Sequence, residues 1–104
     1  MTIEIDDYVI DVMMRDLVGH DKRPSAFLVY LYLAVRSERE MKHGVACSLR
    51  RLAEATGLSK SAAQKGAAHL AGRHLITVTR KSPTSVPVYH LNRHWRPRSK
   101  RSAS

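Results

Sequence analysis

The sequence predicts a mainly α-helical domain, a three-helix core closed by a small β-hairpin near the C-terminus. Three observations carry this. Apolar residues recur at helical spacing in successive stretches after Pro24. From Ile76 the period drops to two, and it holds on both sides of a turn as far as Leu91. A length of 104 residues, 43% of them hydrophobic, suffices for one core and not for two ordinary domains. By composition the chain divides into an N-terminal arm over 1–23, a domain over 24–92 and a basic tail over 93–104.

In the arm, Val9, Met13 and Leu17 recur at helical spacing behind the capping candidates Asp6 and Asp7, which predicts a helical turn around 13–18. Tyr8 to Val12 reads equally well as extended chain. Pro24 suits a first helical position and Gly44 an exit, so a helix runs from Pro24 to about Glu40. Phe27, Leu28, Leu31, Tyr32 and Val35 surround most of its circumference, the pattern of a central, buried helix. Val45 to Cys47 reads as a short strand. Ser48 is a natural N-cap for a helix over 49–56, whose inner face is Leu49, Leu52 and Ala53, and Gly57 ends it. Ser59 caps the next helix, with Ala63, Gly66, Ala67 and Leu70 inward and Ser61, Gln64, Lys65 and Ala68 outward. The hairpin 76–91 turns at Ser82-Pro83-Thr84-Ser85.

Two helices joined by a short Gly-containing turn, the second with a polar outer face, form the helix-turn-helix arrangement that seats a helix in the DNA major groove. Ala53 is small where the helices cross, Gly57 allows a left-handed turn, Leu58 plugs the core beneath it and Ala63 permits close docking. Charge points the same way: 18 Lys+Arg against 9 Asp+Glu gives 18 − 9 = +9, with a polyanion as the partner that such an excess favours.

These residues resemble a known group. SLRRLAEATGLSKSAAQKGAAHLAGRHLITVTRK and VPVYHL are similar to the winged helix-turn-helix of MarR-like and GntR-like regulators. PSAFLVYLYLAVRSERE with VACS resembles the first helix and short strand of compact winged domains in regulators and replication initiators. The resemblance spans about residues 24 to 92 and is strongest at Leu52-Ala53, Gly57-Leu58-Ser59, Leu70 and Leu75-Ile76. It implies that 59–73 is a recognition helix and 76–91 a wing. Ser61, Gln64 and Lys65 would then donate to base edges, Ala68 would meet a thymine methyl, and Ser59 with Lys60 at the helix N-terminus would hold a phosphate. Arg80 and Lys81 on the wing, with Arg50 and Arg51 on the preceding helix, would bracket the DNA backbone. For the last two, a purely solubilising role is an equal reading. Gly66 and Ala67 depart from the bulkier apolar residues usual there, which predicts weaker packing, and His74 stands where glycine is common.

Other chemistry finds little support. There is no Gly-rich phosphate loop, no nucleophile constellation and no paired carboxylate in an apolar setting, so no catalytic residue and no cofactor are expected. Six histidines and one cysteine match no zinc spacing, so no metal ligands are expected either. Cys47, without an intrachain partner, reads as a small buried residue, with a redox sensor as the alternative. Trp95, among Arg93, Arg96 and Arg98, either covers the domain or stacks on nucleic acid. The acidic N-terminus lacks the pattern of a secretory signal, and the apolar run 26–35 is too short to span a bilayer, so the expected setting is cytoplasmic and nucleoid-associated, without a membrane. The leading function is sequence-specific double-stranded DNA binding by a small transcriptional regulator. It would act as a homodimer, using Tyr8, Val9, Met13, Leu17 and Trp95 as its interface. Alternatives are a plasmid or phage replication or partition factor, a protein-interaction adaptor and an RNA-binding module.

Overall fold

A computed structural model describes residues 2–96. The N-terminal segment folds as a helix, α1, over residues 7–20, so the extended reading of Tyr8 to Val12 does not hold. It is wound as two π-helical stretches, Val9–Met13 and Arg15–His20, closed by i→i+5 bonds from the Met14 N–H to the Val9 carbonyl and from the Asp21 N–H to the Asp16 carbonyl. Its inward residues are Val9, Met13 and Leu17, all buried in the core of this chain. They are therefore not available as an interface between two copies, contrary to the sequence-based expectation. The apolar residues that α1 leaves in solvent are Ile10, Val12, Met14 and Val18.

Helix α2, Pro24–Glu40, starts at its proline and ends in a Schellman turn. Met41 takes the left-handed conformation (φ 53°), and the Lys42 N–H reaches back to the Ser37 carbonyl at 3.2 Å. Gly44 is therefore not the exit residue. It opens strand β1, Gly44–Ala46, where a Cβ would lie 2.8 Å from Val88 Cγ1 and 3.0 Å from His90 Cε1. The buried face of α2 holds Ala26, Phe27, Val29, Tyr30, Leu33 and Ala34. The other apolar side is less enclosed than its composition predicts: Leu28 is exposed, and it shares an open depression of about 260 Å³ with Leu31, Tyr32, Val35 and Ala55.

Helix α3, Leu49–Thr56, is capped by Ser48, whose Oγ accepts the Arg51 N–H at 3.1 Å. Gly57, at φ 78°, supplies the left-handed turn, and both its N–H and that of Leu58 reach the Ala53 carbonyl. Helix α4, Lys60–Gly72, is capped by Ser59 Oγ on the Ala62 N–H at 3.0 Å. Its inward stripe is Ala63, Gly66, Ala67 and Leu70, as the spacing predicts. Gly66 does not loosen the packing. A Cβ there would sit 3.1 Å from the Ser25 carbonyl oxygen and 3.2 Å from the Ala26 nitrogen, so the missing side chain is what lets α4 lie against the first turn of α2.

A second Schellman turn ends α4: the Leu75 N–H donates to the Leu70 carbonyl, the His74 N–H to that of Ala71, and His74 itself is left-handed at φ 59°. His74 thus takes the conformation that glycine adopts most easily, and Asn92 Nδ2 donates to its carbonyl at 3.0 Å. Strands β2, Ile76–Thr79, and β3, Val88–Leu91, form the hairpin. Strand β1 joins it on the far side of β3, which makes a three-stranded antiparallel sheet in the order β1-β3-β2, with Tyr89 opposite both Val45 and Val78. Tyr30, Leu17, Leu33, Leu52, Leu70 and Ile76 meet in one core, so the arm and the 24–92 segment share their apolar interior.

Residues 93–96, basic in composition, also pack on the domain. The Trp95 ring stacks on Tyr8 at 4.5 Å with 8° between planes, and Trp95 Nε1 donates to Asp6 Oδ2 at 2.7 Å. Trp95 therefore covers the domain. The remainder of the tail, 97–104, lies outside the described residues.

Candidate nucleic-acid interface

The outward face of α4 follows directly from its caps and stripe. With Ala63, Gly66, Ala67 and Leu70 turned inward, the 100° step leaves Ser61, Gln64, Lys65 and Ala68 in solvent, and Lys60 is exposed at the N-terminal end. Ser59 is exposed too, but its hydroxyl oxygen is already engaged by the Ala62 N–H. The first amides of the helix, Lys60 and Ser61, have no intrahelical carbonyl to bond and point out of the N-terminal end.

A groove of about 150 Å³ runs between α4 and the sheet, walled by Gln64, Ala68 and Arg80 over an apolar floor that includes Ala71, Val78 and Tyr89. Gln64, Ala68 and Arg80 thus come together on one surface. Arg80 Nη1 donates to the Ser85 carbonyl at 3.4 Å, which turns the guanidinium toward the hairpin loop, and Lys81 beside it is exposed. Arg50 and Arg51 do not line this groove. Arg50 pairs with Glu54 at 3.4 Å on the open surface of α3. Arg51 lies in a separate cleft beside Ser48, Cys47, Val86, Arg36 and Arg39. Arg36 in that cleft is already committed to Glu40, Tyr32 and the Ala46 carbonyl.

Electrostatically the surface is one-sided. All nine carboxylate side chains of the chain occur at or before Glu54, so α4 and the hairpin contribute cations and no acids. Several of those carboxylates are occupied. Asp6 accepts from Arg96 and Trp95, which hold its carboxyl at about 2. Asp21 contacts His20 Nδ1 at 2.9 Å and His69 Nε2 at 2.7 Å and pairs with Arg73; these bonds hold its carboxyl well below the usual carboxylate range. Arg73 also reaches Asp16 at 3.3 Å.

The Asp21 cluster is a positioning feature that the sequence reading missed. His69 and Arg73 stand one turn apart at the end of α4, and Asp21 lies in the loop between α1 and α2, so the clasp ties the C-terminal end of α4 to the N-terminal half of the chain. The i,i+4 pair His69 and Arg73 was a visible signal, but its partner lies far away in sequence. Cys47 is buried, its thiol donates to the Ser48 carbonyl at 3.5 Å, and burial pushes the thiol up in pKa, the state of an unreactive packing residue.

Among the described residues no three His, Cys, Asp or Glu side chains come together to hold a metal ion, and no helix is long and apolar enough to cross a membrane. No protein-family model, no curated protein and no solved structure matches the chain.

Proposed function

We propose that this chain is a sequence-specific double-stranded DNA-binding protein of the winged helix-turn-helix type and serves as a small transcriptional regulator. In this reading α4 is the recognition helix and the β2–β3 hairpin is the wing. The observation that carries it is the outward face of α4: Ser61, Gln64, Lys65 and Ala68 stand free in solvent beside Lys60, with Arg80 and Lys81 on the hairpin, and neither α4 nor the hairpin contributes a carboxylate. Such a face is complementary to phosphates at its edges and to base edges at its centre. The order helix, strand, helix, turn, helix, hairpin supports the same reading, because the tight Gly57 turn presents α4 outward from the core.

The test is a selection of bound duplexes from a random library, followed by titration of the preferred site against salt. About six neutralised phosphates give a slope of log K on log salt near −5. A flat salt response, or equal affinity for preferred and random duplex, refutes sequence-specific DNA binding. Preference for structured RNA in competition points instead to an RNA-binding module.

One recognition helix reads few bases, so a second copy on a neighbouring half-site supplies the remaining specificity. The exposed Ile10, Met14 and Val18 on α1 favour a second copy of this chain as partner, since Asp11 and Arg15 flank the stripe and are mutually complementary in an antiparallel pairing. Light scattering of the DNA complex should give two protomers per site, and Met14→Lys should return it to one. A wild-type complex with a single protomer on a non-palindromic site excludes the dimer.

A further inference from the structure

We propose that Gln64 and Ala68 read neighbouring A·T pairs, Gln64 taking an adenine and Ala68 the methyl group of a thymine, so that α4 specifies its half-site by A·T pairs. The inference rests on the DNA-binding reading above and adds the identity of the bases.

In the major groove guanine presents two acceptors, O6 and N7, whereas adenine presents an acceptor at N7 and a donor at N6. A side-chain amide carries one acceptor and one donor group side by side, which matches adenine and not guanine. Gln64 is the only amide on α4 and it is exposed at the centre of the outward face. The residue type best suited to guanine is arginine, with its rigid fork of donors. Helix α4 has none between Lys60 and Gly72, and the adjoining Arg73 is committed to Asp21 and Asp16. Lys65, a flexible point charge, reaches phosphate and base alike and imposes less geometry.

Ala68 stands one turn beyond Gln64 on the same face and lines the same groove. Beyond it the floor continues as Ala71 and Val78, so the surface that meets the base edges past Gln64 is short and apolar. A thymine C5 methyl is the one apolar group that the major groove displays. With nothing longer than a methyl at position 68, the helix can come close enough for that contact. Arg80, across the groove, is left to the flanking phosphate.

The test uses the full chain and the duplex recovered by selection. Each thymine in turn is replaced by deoxyuridine, which removes only the methyl, and each adenine by 7-deazaadenine, which removes only the N7 acceptor. One deoxyuridine should weaken the wild type about fourfold, the worth of one buried methyl-sized group, and have no effect on Ala68→Gly. One 7-deazaadenine should weaken the wild type about tenfold and have no effect on Gln64→Ala. Ala68→Ser, measured beside Ala68→Gly, guards against a loss of helix stability, and both are used only with native circular dichroism. Deoxyuridine or deazaadenine losses that persist in full in the respective variants overturn the assignment, as does a selected site in which these two residues affect only G·C positions. Salt-dependent, selective binding with either of those results leaves the DNA reading standing and removes only the base assignment. Absence of duplex binding removes both.

Discussion

Replacing Gly66 by alanine puts a methyl carbon 3.1 Å from the Ser25 carbonyl oxygen and 3.2 Å from both the Ser25 carbonyl carbon and the Ala26 nitrogen. All three are backbone atoms of the first turn of α2, so no side chain can swing aside and the two helices must part by a few tenths of an ångström. Overpacking of this kind costs about 1–3 kcal/mol. Alanine also gains about 1 kcal/mol over glycine inside a helix, which offsets part of that cost. Gly72, in the same helix, separates the two effects, because a Cβ there meets nothing within 4 Å. Gly72→Ala keeps the propensity gain, reduced at the helix end to about 0.5 kcal/mol, without the clash. Gly72→Ala should therefore be more stable than Gly66→Ala by about 0.5–2.5 kcal/mol, with each kcal/mol worth about 4–8 °C in Tm for a domain of this size. Urea and thermal unfolding followed by circular dichroism measure both. If Gly66→Ala proves as stable as Gly72→Ala, α4 does not approach α2 this closely and the seating of the outward face is misjudged. Gly66→Val, with two more methyl groups and poorer helix propensity, should be less stable again.

Arg51→Ala should lower the magnitude of the salt slope by about one and weaken preferred and random duplex alike, whereas Arg50→Ala, whose charge is locally offset by Glu54, should do less. A larger effect at Arg50 than at Arg51 contradicts this ranking. In the folded chain the Arg96 and Trp95 bonds depress the Asp6 pKa from the ordinary carboxylate value to about 2, so its contribution to stability is complete above about pH 4 and disappears as pH falls through about 2. Asp6→Asn should flatten the acid limb of the urea midpoint across that window, and an unchanged limb would mean that the Asp6 clasp with Trp95 and Arg96 is not made in solution. Met41 is left-handed and 90% exposed, so Met41→Gly relieves backbone strain without losing a buried contact and should raise stability by about 0.5–1 kcal/mol. A fall in Tm would show that Met41 makes a contact the fold needs.

What the sequence determined by itself was local. Ser48 and Ser59 as caps, Gly57 as the left-handed turn, the stripe Ala63, Gly66, Ala67 and Leu70, and the period of two after Leu75 all act between residues a few positions apart, so residue type and spacing reveal them. The outward set Ser61, Gln64, Lys65 and Ala68 follows from the same geometry. Tertiary structure decided what depended on distant neighbours. Helix α1 carries two apolar stripes of the same spacing, Val9, Met13, Leu17 and Ile10, Met14, Val18, and only packing against α2 selects the first as core. A four-residue repeat also falls between the α and the wider π winding, so it could not distinguish them. Gly66 looked like lost packing because the backbone it admits belongs to Ser25 and Ala26, about forty positions away. The Asp21 clasp on His69 and Arg73, the Asp6 clasp on Trp95 and Arg96, and the addition of β1 to the hairpin likewise join segments remote in sequence. Periodicity encodes which side of an element is apolar. Which surface that side meets is decided when the elements pack, because burial is shared between residues that the chain itself keeps apart.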